Sequence, residues 1–224
     1  HNTIGGQIAL LLKCNAYNTT YAQRGFSLEH ALLDAQMMLA DGEGAHMLVG
    51  GIDEVIPTSY AITNRMGLWK QKLSSNLQLL DSAERGTILG EGAAFFMLSQ
   101  ESAGGAYAKL GGIDTFLQAT DADVVYSRIG GLLAAQALQP EDIDVLVLGV
   151  SGDHTSDSYY RDLQAHYFPQ TASACFKHLR GEGYTASGFA IWLGAKMLKE
   201  QRIPEMCVWQ KPAQRLEAIR HVLV

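Results

Sequence analysis

Ile143-Asp144-Val145-Leu146-Val147-Leu148-Gly149-Val150 is the most strand-like stretch of the chain. From Val145 to Leu148 no polar residue interrupts it, the mark of a strand buried on both faces rather than one with a wet side. Helical patterns flank it. Upstream, a helix opens near Asp121, where Asp121 and Asp123 suit the positive end of its dipole, and runs to about Leu138 before Pro140. Downstream, a polar turn leads to a helix predicted over 157–167, a strand over 172–176, and a long helix from Thr185 to Glu200 ahead of Pro204. Strands over 205–209 and 219–224 follow.

The first half repeats the alternation. Thr3 to Leu12 reads as a short helix. From Ser27 to Ala40, Leu28, Ala31, Leu32, Ala35, Met38 and Leu39 form one apolar helical face, with Ser27 as N-cap and Asp41-Gly42 as the stop. His46-Met47-Leu48-Val49 is a buried strand running into Gly50-Gly51, and 52–80 is mixed loop and helix. Ala93 to Leu98 is a second buried strand, and 106–116 a third. Short apolar strands alternating with amphipathic helices predict an α/β fold with a mostly parallel sheet covered on both faces, Val49 and Leu146 sharing one sheet.

Composition narrows the class. The 224 residues are 47% hydrophobic and 18% charged, which excludes disordered and fibrous chains and fits a single domain. A formal charge of −6 supplies no positive field for nucleic acid. Cys14, Cys175 and Cys207 form neither a disulfide framework nor a Cys-x-x-Cys metal site, so a reducing, cytoplasmic setting is expected. No apolar run reaches membrane-spanning length; Lys13 ends Ile8–Leu12 almost at once. The chain opens at His1 rather than Met, which predicts a natural N-terminus further upstream.

Isolated chemical motifs are weak. Gly149-Val150-Ser151-Gly152-Asp153 follows the strong strand and resembles half a nucleophile elbow, but Asp153 replaces the second glycine. Ser151 is therefore a candidate hydrolase nucleophile set against a plain polar turn. Asp153, His154 and Asp157 suit a solvated turn better than a metal site, because nothing fixes further ligands at a known spacing. Gly50-Gly51 and Gly130-Gly131 do not extend to a phosphate-cradling Gly-x-Gly-x-x-Gly. His30 reads as a partly buried packing residue. No metal and no cofactor is expected.

Three blocks in order carry a resemblance. Leu48-Val49-Gly50-Gly51-Ile52-Asp53-Glu54 follows an amphipathic helix; Asp81 precedes Gly86 and Leu89-Gly90-Glu91-Gly92-Ala93; Lys177 precedes Gly181 by four residues and Gly188 by eleven, leading to a long helix and Pro204. The chain resembles the β-ketoacyl-ACP synthases of the thiolase-like fold over about residues 1–210. The resemblance implies a layered αβαβα domain with a first-half portion over about 1–118 and a second over about 119–224. Complete family members also have strands before the position of residue 1 and a glycine-rich segment after that of residue 224, so an incomplete or compact copy of the fold is expected.

The same resemblance implies a Cys nucleophile at the start of the 27–40 helix, activated by its N-terminus, and two histidines that drive decarboxylation and stabilise the enolate. The nucleophile position falls on Gly25, the first histidine position on Gly149 and the second on Glu182; only the lysine, Lys177, is kept. Glycine has no side chain to acylate, and an anionic Glu182 has the wrong sign for an enolate. Cys14 and Cys175 read as buried, inert thiols. The pattern is similar to chain length factors, catalytically dead partners of active ketosynthases in type II polyketide, aryl-polyene and flexirubin-type pathways; the Asn2–Gln7 opening and Gly25 look most like the last group. An active ketosynthase or a second copy, together with an acyl carrier protein, are the partners implied. Lys177 is then expected to pair with Glu91 or Glu182, and Asn15-Ala16-Tyr17-Asn18-Thr19-Thr20-Tyr21 to be the strand that pairs across a dimer. The alternative from the residues alone is an active acyltransferase or hydrolase using Ser151.

Overall fold

The computed structural model describes residues 3–72, 75–101, 104–117 and 121–224. Helix α1 (Thr3–Leu11) buries none of its residues. Helix α2 (Ser27–Ala40) buries Leu28, Leu32, Ala35 and Leu39, the i, i+4, i+7, i+11 stripe that the sequence dictates. Ser27 is its first helical residue rather than its cap. The Ser27 hydroxyl accepts from the Gln23 amide at 2.8 Å and donates to the Arg24 carbonyl at 2.9 Å, tying the helix to a 3₁₀ turn at Arg24–Phe26. Gly42, at φ +74°, ends it as expected.

Strand β1 (His46–Asp53) packs on α2 and pairs with β2 (Gly92–Ser99), between which lies helix α3 (Pro57–Arg65). The β1–β2 pair is antiparallel, Val49 facing Phe96 and Asp53 facing Gly92. Its burial alternates along each strand, and Leu48, Ile52, Phe95 and Met97 are exposed. The expected parallel, fully buried strands are thus corrected here. Both strands are apolar on both sides, and that composition does not reveal direction. The chain over 106–116 forms no strand either. It runs close over helix α4 (Ala122–Ala135), where a Cβ on Gly112 would touch Leu132 at 3.0 Å, and Leu110 accepts a hydrogen bond from Gln36 of α2.

The second sheet has β3 (Val145–Leu148) beside β4 (Ala172–Cys175) and β6 (Val222–Leu223), both parallel to it, with β5 (Val208–Gln210) antiparallel on the β4 edge. Every residue of β3 and β4 is buried, as the unbroken apolar run requires. Helix α5 starts at His154, earlier than expected, because the Asp153 carboxylate accepts from the Thr155 and Ser156 amides (3.0 and 3.3 Å); it runs to Asp162 and continues as a π turn over Leu163–Tyr167. Helix α4, α5 and this turn cover one face through Leu133, Leu163 and Phe168. Helix α7 (Ala186–Glu200), which follows the single turn α6 (Lys177–Arg180), covers the other through Ala186, Ala190, Leu193 and Met197.

Helix α7 also meets the first sheet: a Cβ on Gly188 would lie 2.8 Å from that of Ala94 and 3.0 Å from Leu28 Cδ2. So α2 and α7 form a helical layer between two sheets. Val49 and Leu146 stand in separate sheets, not one, and this is what an alternating layered fold requires of them. The thiolase-like assignment holds as an incomplete copy: the β1–β2 pair, the α2/α7 layer, the second sheet and the α4/α5 layer are four of the five αβαβα layers, and the outer face of β1–β2 is exposed.

Two family-like blocks meet at the joint of the sheets. Gly90 donates to the Glu182 carbonyl at 2.8 Å, and the Glu182 amide donates to the Ile88 carbonyl at 2.7 Å. A Cβ on Gly90 would lie 2.0 Å from the Arg180 carbonyl oxygen, so only glycine permits this contact. Beside it, Asp53 Oδ2 accepts from the Thr185 amide (2.7 Å), the Thr185 hydroxyl (3.0 Å) and Arg180 (3.4 Å). A carboxylate from the end of β1 thereby receives the start of α7.

Candidate functional site

A cavity of about 710 Å³ opens between the start of α2, the C-terminal end of β3 and the α6–α7 turn. Ligand sites of α/β sheets lie at strand C-termini, where side chains from several elements converge. Gly25, Gly149, Lys177 and Glu182 all line it, so four positions up to 157 residues apart in sequence, singled out from the sequence, share one wall system. Most of the lining is apolar: Val125, Ile129 and Leu132 from α4, Leu148 from β3, Leu163 and Phe176.

The four positions differ in physical state. Gly25 sits on the 3₁₀ turn before α2, and a Cβ added there would meet nothing within 4 Å. Gly149 is filled instead. A Cβ there would lie 2.6 Å from the Tyr160 hydroxyl oxygen and 3.5 Å from Lys177 Nζ. Lys177 Nζ donates to Glu182 Oε2 at 2.5 Å, the side chains being 13% and 30% exposed. Glu182 Oε1 accepts from the Gly183 amide at 3.1 Å. Of the two acids expected to pair with Lys177, the structure brings Glu182; Glu91 accepts from the Val55 amide at 3.0 Å instead.

Tyr160, on α5, is the residue sequence reasoning missed. Burial above all holds its hydroxyl in the neutral O–H form, raising its pKa, while the Lys177 ammonium pulls the other way. Its only sequence signal is the aromatic pair Tyr159-Tyr160 in an otherwise polar helix, which no motif marks.

The remaining candidates lie elsewhere. Ser151 is buried and outside the cavity wall. Its amide donates to Asp157 at 2.8 Å, its hydroxyl points to the same oxygen at 3.4 Å, and its carbonyl accepts from Thr87 at 2.5 Å. Among the described residues no histidine bonds to it; its hydroxyl meets only the Asp157 carboxylate, which the Ser151 and Gly152 amides already engage. Asp157 also accepts from the Gly152 amide at 2.8 Å, and Asp153 from the Gly86 amide. Both carboxylates thus hold a turn. Burial pushes the Asp153 pKa up, but the Gly86, Ser156 and Thr155 amides outweigh it and leave the group below the usual carboxylate value. His154 is exposed and starts α5.

Cys175 is buried in β4, and burial together with the Asp157 charge drives its thiol well above the ordinary value. Cys207 is likewise buried and raised by burial. Cys14 is exposed, contrary to expectation, because α1 buries none of its residues and the stretch that follows it is exposed throughout. His30 is half-buried, its ring against Phe26 and bonded to Gln23, as expected of a packing residue. Gly50 and Gly51 clear Phe95 and Thr185 rather than cradle a phosphate. Residues 15–21 form no strand: Tyr17 donates to Asp34 of α2 at 2.9 Å and Asn18 to the Gly5 carbonyl at 3.0 Å, side-chain ties that leave the backbone out of any ladder. Among the described residues no helix is long and apolar enough to cross a membrane. Asn2 and His1 lie outside them.

The fold is that of the thiolase-like ketosynthases. Residues 1–103 match the family model "Beta-ketoacyl synthase, N-terminal domain". No curated protein matches the sequence. Solved structures with this fold include the ishigamide ketosynthase/chain length factor, 20% identical with a TM-score of 0.71, which matches over 91% of this chain and 53% of that one. The type II polyketide synthase complex AntDE:AntF, an acyl carrier protein bound to its ketosynthase, is 16% identical with a TM-score of 0.73, over 91% of this chain and 55% of that one. A β-ketoacyl synthase from Burkholderia phymatum STM815 is 17% identical with a TM-score of 0.70, over 98% and 58%. The chain therefore spans about half the length of the structures it matches.

Proposed function

We propose that this chain is a non-catalytic ketosynthase-like subunit of the chain-length-factor type, which packs against an active β-ketoacyl-ACP synthase and receives part of a growing acyl chain in its cavity. The observation that carries this reading is the state of the cavity. It is large and apolar, yet the position that the resemblance assigns to the nucleophile, Gly25, and the first histidine position, Gly149, contribute no side chain to it, while Glu182 neutralises Lys177. Such a site holds an apolar ligand without acylating it. Fatty acid or polyketide assembly of the aryl-polyene or flexirubin kind is the pathway class, acyl carrier protein the donor, and cytoplasm the setting.

The partner surface is the face carrying α1 and residues 15–40. Leu10, Leu11, Leu12 and Tyr17 are exposed there, Leu11 to 82%, and contiguous apolar surface of this kind supports burial against another chain. Incubation with radiolabelled acyl-ACP tests the first part: no covalent adduct is expected on this chain, alone or with the partner. An adduct, or condensation by the pure chain that is lost on changing Ser151 or Cys175, overturns it. Replacing Thr19 and Tyr21 with lysine tests the second; an unchanged assembly state, alone and with a co-expressed ketosynthase, places the interface elsewhere.

A further inference from the structure

We propose that Tyr160 and Lys177 form a non-covalent carbonyl-binding end to the cavity, taking the neutral C=O of a thioester or ketone where an active homologue would carry out chemistry. The inference rests on the acyl-cavity reading above and adds the group of the ligand that is recognised.

The geometry starts from Gly149. The point where its Cβ would stand is 2.6 Å from the Tyr160 hydroxyl oxygen and 3.5 Å from Lys177 Nζ, so two hydrogen-bond donors surround one spot on the cavity wall. Glycine at 149 is what gives the tyrosine hydroxyl its place, since any side chain there would collide with it. The donors are also uncommitted. Among the described residues the Tyr160 hydroxyl has no hydrogen-bond partner, and Lys177 uses one N–H, toward Glu182. Leaving a half-buried hydroxyl and ammonium protons without acceptors is unfavourable unless a ligand or water supplies them.

The same groups select the kind of acceptor. Glu182 at 2.5 Å cancels the ammonium charge, so the end of the cavity is electrically near neutral and its carboxylate would repel an anion. A neutral carbonyl oxygen accepts from both donors without meeting that repulsion. Val125, Ile129, Leu148 and Phe176 then offer apolar wall to the chain attached to it.

The experiment uses two probes, S-octanoyl pantetheine and its thioether analogue with a CH₂ in place of the C=O, titrated calorimetrically into the wild-type chain and a Tyr160→Phe variant. Phenylalanine keeps the ring and removes only the donor. The thioester is expected to bind the wild type about five- to tenfold more tightly than the thioether, and Tyr160→Phe to lose about that factor for the thioester alone. The infrared C=O band of ¹³C-labelled thioester bound to wild type is expected below its position in an aprotic solvent, a readout that stands whether or not the variant folds. Thioester and thioether binding equally, or an unshifted C=O band, overturns the carbonyl site and leaves the acyl-cavity reading intact. Neither probe binding the wild type overturns both.

Discussion

Replacing Lys177 with methionine tests the charged pair it makes with Glu182 in the cavity wall. The ammonium lies 2.5 Å from Glu182, with side chains 13% and 30% exposed. Removing one partner of a fully buried pair costs about 3–5 kcal/mol, whereas exposed pairs contribute about 0–1 kcal/mol. Glu182 is neither. Its exposed fraction admits water, and its second oxygen keeps the Gly183 amide at 3.1 Å, so the orphaned carboxylate is only partly unsatisfied. These facts place Lys177→Met at about 1–2 kcal/mol, or a melting temperature lower by about 2–8 °C for a chain of this size. Because Glu182's own backbone links the two sheets through Ile88 and Gly90, the loss is expected in the global unfolding transition and not as local fraying. Urea unfolding of Lys177→Met, Glu182→Gln and the double variant separates the pair from its surroundings. The double variant is expected to be more stable than the sum of the singles implies, by about 1 kcal/mol. A Lys177→Met protein that melts with wild type, or strictly additive variants, refutes the reasoning.

Gly25→Cys is expected to change stability by less than about 0.5 kcal/mol, since its Cβ meets open space, and to add one rapidly alkylated thiol in the native state. In the wild type only Cys14 is expected to react before unfolding, Cys175 and Cys207 being buried; mass spectrometry after brief iodoacetamide treatment reads both results. Gly149→Ala is expected to cost about 1–3 kcal/mol because Tyr160 must move, and the cost to shrink in a Tyr160→Ala background, measured by thermal melts. Asp153→Asn removes a carboxylate whose folded pKa is lowered. Its stabilisation is complete above the ordinary carboxylate value near pH 4 and is lost as pH falls through the lower folded one, so the gap between wild type and variant in urea midpoint is expected to close below about pH 4.

Much of the fold was legible where local pattern and burial agree. The α2 stripe and the unbroken Val145–Leu148 run each admit one reading, and both reappear in the structure. Strand direction was not legible, because β1 and β2 carry apolar residues on an outer face as well as an inner one, and alternation is what betrays an antiparallel pair. Residues 15–21 and 106–116 have strand composition, yet a strand exists only where a ladder partner does, and side-chain contacts to α2 and α4 take its place. At the site, the resemblance selected four positions that converge on one cavity, but it described three of them only as losses. What stands in those places depends on a helix packed from elsewhere in the chain, and spacing in one sequence carries no trace of it.

That difference changes what the substitutions mean. At Gly25, the position the resemblance assigns to the nucleophile, a side chain would enter free space and meet no steric opposition. At Gly149, the position the resemblance assigns to a histidine, Tyr160 fills the space, and any side chain placed there must displace its ring or hydroxyl. A histidine at 182 would replace an anion with a neutral or cationic ring beside Lys177 and leave the ammonium without its counter-charge. Positions 149 and 182 therefore depend on one another through Lys177, and position 25 stands apart from both. Histidine introduced singly at 149 or 182 is set against the packing and pairing that exist there, whereas a cysteine at 25 is not.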